Sequence, residues 1–137
     1  MMNSAKIYNY LYTAYQKTHE LFLDLFSLSY VRVYSSIALF LIVLNWVSSY
    51  IINVKSSADS IIFLHYNVDF GANLIGDVKK IYVIPLLGLI IFLFNFILSI
   101  RFYKHNKFIP NILMSSGIIV NITLLISLYL IYLINFK

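Results

Sequence analysis

Between Arg32 and Lys55 lie 22 consecutive uncharged residues, VYSSIALFLIVLNWVSSYIINV. Wound as an α-helix this run is roughly 33 Å long, enough to cross a hydrocarbon core of about 30 Å. Two more runs of the same kind follow: residues 81–100, between Lys80 and Arg101, and residues 108–136 after Lys107. A soluble chain of 137 residues has no interior large enough to hide them. The composition agrees, with 61% hydrophobic and only 11% charged residues and a mean hydropathy of +0.86. Soluble chains carry about 25% charged residues. The sequence therefore predicts an all-α integral membrane protein in a single membrane domain, residues 1–137. An amphipathic interfacial helix (1–32) precedes three transmembrane helices (33–54, 81–100 and 108–136). An outer loop (55–80) and an inner linker (101–107) join the spans.

The formal charge of +5 does not point to nucleic acid, because the basic residues are scattered between apolar runs and form no patch. They set orientation instead. Three spans put the termini on opposite sides. Lys6, Lys17, Arg32, Arg101, Lys104 and Lys107 fall on the N-terminal side, and Lys55, Lys79, Lys80 and Lys137 on the other. The excess places the N-terminus and the 101–107 linker in the cytoplasm and the C-terminus outside. No cleavable signal sequence is expected, since the first apolar run begins only after Arg32.

Residues 1–32 are too charged to cross a bilayer but follow a helical period. Ile7, Leu11, Ala14, Leu21, Phe22, Leu25 and Leu28 fall on one face, and Lys6, Asn9, Gln16, Lys17, Glu20 and Asp24 on the opposite one. A strip of Tyr8, Tyr12, Tyr15, His19, Phe26 and Tyr30 borders the apolar face. Such a helix lies in the membrane interface or docks on a protein.

In the outer loop, Ile62, Leu64, Tyr66, Val68 and Phe70 alternate with Phe63, His65, Asn67 and Asp69, which predicts an extended segment. Gly71 permits a turn, and Ala72–Ile75 reads as one helical turn before Gly76 and Asp77. His65, Asn67, Asp69, Gly71, Gly76 and Asp77 form the candidate contact site of the loop. Two readings stay open: His65 and Asp69 share a face that binds a metal or polar ligand near Asp77, or that face is simply wetted. Zinc takes three or four protein ligands, so no metal and no cofactor is assigned. There is no cysteine, and no nucleophile elbow, paired-histidine helix or phosphate loop. The chain is read as not an enzyme.

The spans hold no Asp, Glu, Lys, Arg or His, which argues against a coupled transporter. Each span carries one mid-run asparagine: Asn45, Asn95 and Asn121. Counted from the cytoplasmic ends, Asn45 and Asn121 both lie roughly 18–20 Å deep and Asn95 about 8 Å. Asn45 and Asn121 are thus the expected interhelical polar pair. Gly88, Ser115, Ser116 and Gly117 are small enough to admit close helix approach.

Tyr66, Asn67, Phe70, Gly71, Ile75 and Gly76, followed by Pro85, Leu86, Gly88 and Asn95, spell a Y-N-x-x-F-G-x-x-x-I-G loop before a P-L-x-G helix. This resembles a segment recurring in small uncharacterised bacterial three-span membrane proteins, and it covers residues 61–100 alone. The resemblance implies a bacterial cytoplasmic membrane, a three-span architecture and a loop fixed against the start of the second span. It implies no activity or ligand. The expected function is a non-enzymatic accessory or scaffold subunit, with the lipid bilayer and a protein partner or a second copy as its contacts. The alternatives are a homo-oligomeric pore or holin-like permeabiliser, and a loop-based metal or ligand binder using His65 and Asp69.

Overall fold

The computed structural model describes residues 4–56, 61–67 and 71–136. It contains helices α1 (Ser4–Ser27), α2 (Ser29–Lys55), α3 (Val83–Phe102) and α4 (Phe108–Phe136), with strands β1 (Ile61–Asn67) and β2 (Gly71–Asp77) between α2 and α3. A 3-10 turn over Val78–Tyr82 leads into α3. Three helical segments are long and apolar enough to cross a membrane: Ser29–Lys55, Val78–Phe102 and Phe108–Phe136. The chain is a small helical membrane protein, with α1 preceding the three spans.

The spans pack through seams that repeat every seven residues. On α2 the buried positions are Val31, Ser35, Ala38, Ile42, Asn45, Ser49 and Ile52, in alternating steps of four and three. On α4 they are Pro110, Met114, Gly117, Asn121, Leu128 and Ile131, with half-buried Leu124 filling the gap. Pro85, Gly88, Phe92 and Ser99 do the same on α3. A 3.5-residue repeat keeps one face of each helix on its neighbours and favours left-handed crossing. Ser35, Ala38, Asn45, Ser49, Gly88, Ser99, Gly117 and Asn121 share these seams with larger apolar residues, whereas Phe40, Val43, Leu93, Phe94 and Ile119 lie exposed on the outer faces. That distribution suits lipid, where close packing and hydrogen bonds hold helices together and large apolar groups lose nothing by facing outward.

Two apolar clusters fill the bundle. Ala38, Ile42, Phe92 and Met114 pack in the half nearer the 103–107 linker. Ile52, Ile62, Val78, Ile81, Leu128 and Ile131 pack in the half under the hairpin. Prolines open two of the spans. Pro85 lacks the N–H that α geometry would pair with the Ile81 carbonyl, and the turn before it is wound as 3-10. Pro110 sits in the first turn of α4, where its missing donor costs nothing. The Asn106 side chain caps that helix by accepting from Phe108 N–H at 2.8 Å.

Two expectations are corrected. Residues Ala72–Ile75 are not a helical turn but part of β2, paired antiparallel with β1 in the register Ile61↔Asp77, Phe63↔Ile75, Asn67↔Gly71. An adjacent strand pairs with Ala72, Leu74 and Ile75 of this segment, backbone partners that one isolated turn lacks. The N-terminal helix also stops at Ser27, short of Arg32. Leu28 is extended, at φ −72° and ψ 118°, and helix resumes at Ser29. A straight continuation would carry Phe22 and Phe26 away from the bundle. The corner at Leu28 turns them back onto Phe96 of α3, with ring centroids 5.9 and 5.8 Å apart in edge-on geometry.

Candidate functional site

Near the middle of the spans, three helices meet through one polar layer. Asn45 Nδ2 of α2 donates to the backbone carbonyl of Asn121 at 3.1 Å and, more weakly, to its side-chain oxygen at 3.4 Å. Asn121 Nδ2 in turn donates to Gly117 O at 2.9 Å and to Gly88 O of α3 at 3.4 Å. The structure thus brings Asn45 and Asn121 together, and the better of their two contacts runs to main chain. Gly88 completes the layer. A Cβ built there would lie 2.5 Å from Asn121 Oδ1, so only glycine lets the carboxamide reach across to α3. Asn95 has a different partner, donating to Ser116 Oγ at 3.2 Å, one α3–α4 contact nearer the linker. These side chains are engaged with one another, in a layer that ties helices together and presents no ionisable group.

The outer loop is a two-stranded hairpin whose base is built into the bundle. Ile62 is buried among Ile52, Leu128 and Ile131. Asn135, in the last turn of α4, clamps the next residue: its Oδ1 accepts from Phe63 N–H and its Nδ2 donates to Phe63 C=O, both at 2.9 Å. One carboxamide thereby supplies both bonds of a ladder position to the outer edge of β1. The hairpin is consequently fixed to α2 and α4 as well as to the start of α3, the only anchor that the resemblance implied. Sequence reading missed Asn135, although it continues the α4 seam in the same step, Leu124, Leu128, Ile131, Asn135.

Along the ladder, the described candidate positions of the loop stand at different levels. The register slips between Phe63 and His65 and again between His65 and Tyr66, which interrupts the expected alternation and pairs His65 with Leu74. Asn67 pairs with Gly71 at the far end of the ladder, and Gly76 with Ile62 at its base. Asp77 faces Ile61, four residues along the strand from His65, or about 13 Å. The Asp77 carboxylate accepts from Lys79 N–H at 2.8 Å, capping the 3-10 turn. Asp77 is therefore a cap at the base of the hairpin and not a neighbour of His65. Asp69 lies outside the described residues. Among the described residues, no three His, Asp or Glu side chains are grouped so as to hold a metal.

At the other end, α1, among its described side chains, is joined to the bundle through its last turns. Leu25 is fully buried and Leu21 and Phe26 are half-buried, whereas every residue from Lys6 to Glu20 is exposed. Tyr8 and Tyr12 stack with centroids 6.4 Å apart, and Tyr15 stacks on His19 at 6.0 Å, so this part of the aromatic strip is held as two exposed pairs. Beneath it, Tyr30 Oη donates to Lys107 O at 2.7 Å and ties the start of α2 to the start of α4. Arg32, Arg101, Lys104 and Lys107 are exposed at this same end. No protein-family model, curated protein or solved structure matches the chain.

Proposed function

We propose that this protein is a non-enzymatic accessory or scaffold subunit of a membrane complex, with the aromatic strip of α1 and the hairpin as its two contact surfaces. The observation that carries this reading is the division of labour among its polar and aromatic groups. Asn45, Asn95, Asn121 and Asn135 each donate to groups within the chain and so hold the bundle and hairpin together, with Asn45 Oδ1 buried and unpartnered among the described residues. Tyr8, Tyr12 and Tyr15 are instead held out on an ordered helix, 69%, 53% and 67% exposed. Aromatic residues give large contact area at little entropic cost, and ordered exposed ones favour recognition. The six basic residues on the α1 side, against four on the hairpin side, favour a cytoplasmic α1 and an outer hairpin.

Purification of the tagged full chain in mild detergent, with mass spectrometry of what accompanies it, tests the proposal. A second protein in stoichiometric amount is expected. It should be lost from the Tyr8→Ser, Tyr12→Ser, Tyr15→Ser variant, whose changes touch no buried residue. A homo-oligomer that makes reconstituted vesicles leak small ions would contradict it and favour the pore. A clean monomer, with the triple variant indistinguishable from the parent, would also sink it.

A further inference from the structure

Under the hairpin, α2 and α4 border a groove of about 520 Å³, open to the side. Its walls are Ile51 and Ile52 on α2 and Leu125, Ile126 and Tyr129 on α4, with Ser48 at its foot. At its mouth, in the last turn of α2, Lys55 Nζ donates to Tyr132 Oη. The same ammonium lies 4.7 Å from the Tyr132 ring centroid. From Ser48 to Lys55 the groove runs about 10 Å along the helix axis. We propose that it binds one acyl chain of an anionic phospholipid from the hairpin-side leaflet, with the lipid phosphate held by Lys55 and Tyr132.

The chemistry of the mouth selects the occupant. Lysine carries three N–H donors, of which Tyr132 takes one. The phenol oxygen accepts from lysine, so its own hydrogen is left to donate outward. Two adjacent donor groups, one of them cationic, sit above a wall of hydrocarbon, which matches a phosphate joined to an acyl chain. A helix from a second copy fits the same wall but not the mouth. The spans of a second copy are uncharged, so a helix seated on this wall brings no anion of its own to Lys55. Lys55 ends α2 where the span meets the headgroups, the level at which a lysine stem lies along apolar surface while its charge stays polar.

Native mass spectrometry of the full chain in neutral detergent, titrated with dioleoyl phosphatidylglycerol or dioleoyl phosphatidylcholine, tests this. One phosphatidylglycerol per chain should remain bound under conditions that strip the zwitterionic lipid. Lys55→Gln should weaken that binding about tenfold, the size of one charged hydrogen bond. Tyr132→Phe should weaken it less, and Ile126→Trp, which fills the groove, should abolish it. Lys79→Gln, which removes an exposed cation on the 3-10 turn outside the groove, should leave it unchanged. Equal retention by Lys55→Gln and the parent, or equal loss from Lys79→Gln, would overturn the site in favour of diffuse charge attraction. A dimer that Ile126→Trp converts to monomer would overturn it in favour of a second copy.

Discussion

Replacing Gly88 with alanine isolates the polar layer at the centre of the bundle. An added Cβ would stand 2.5 Å from Asn121 Oδ1 and 3.1 Å from Leu124 Cδ1. The leucine tip has freedom to move. The carboxamide does not, because Asn121 is fully buried and tied to Gly117 O and Asn45. Alanine must either push α3 and α4 apart or turn the carboxamide away from its partners. Inserting one methyl group into a tight contact costs about 1–3 kcal/mol. Each interhelical hydrogen bond lost adds roughly 0.6 kcal/mol. Against this, alanine is the better helix former by about 1 kcal/mol. The net expectation is a loss of about 1–3 kcal/mol from these terms. In an Asn121→Ala background the obstacle is gone, and the same change should be neutral or stabilising. Reversible unfolding in mixed dodecyl maltoside–SDS micelles measures all four corners of the cycle. A coupling of about 2 kcal/mol is expected for residues in direct contact. Additive effects would refute the reasoning, since the cost of alanine would then arise somewhere other than Asn121.

Other changes probe the remaining joints. Asn45→Leu removes both donated bonds to Asn121 and should lower stability by about 1 kcal/mol in the same assay. Asn121→Ala leaves the carbonyl at 3.1 Å in place, so it should not abolish the benefit of Asn45. Asn135→Leu strips both bonds from Phe63; amide exchange at Phe63 should accelerate at least about fivefold, the equivalent of a single hydrogen bond, with the spans still protected. Phe96→Ala deletes two edge-on ring contacts of about 0.5–1.5 kcal/mol each and should make Lys17 cleavable by trypsin while α2–α4 stay folded.

The spans were legible because one property, an uncharged run of sufficient length, decides them without knowledge of partners. Counting depth along those runs also put Asn45 and Asn121 at one level. Asn95 stands at another level with no asparagine opposite it, and its acceptor is the hydroxyl of Ser116. The first strand showed in the alternation of residues 61–70. The second did not, because Gly71, Ala72 and Gly76 have poor strand propensity and are extended by pairing with β1. The corner at Leu28 carries no local signal, having neither glycine nor proline. It follows from where Phe96 lies in three dimensions.

The most direct test of the architecture uses the absence of cysteine from the chain. Single cysteines placed at Lys17 in α1, Lys79 beside the hairpin and Lys104 in the linker are clean reporters of which side each segment occupies. On sealed cells, a membrane-impermeant maleimide should label Lys79→Cys alone, and Lys17→Cys and Lys104→Cys only after permeabilisation. Labelling of Lys79→Cys and Lys104→Cys alike on sealed cells would contradict a bundle that crosses the membrane between them. The mirror pattern would contradict a cytoplasmic α1 and an outer hairpin.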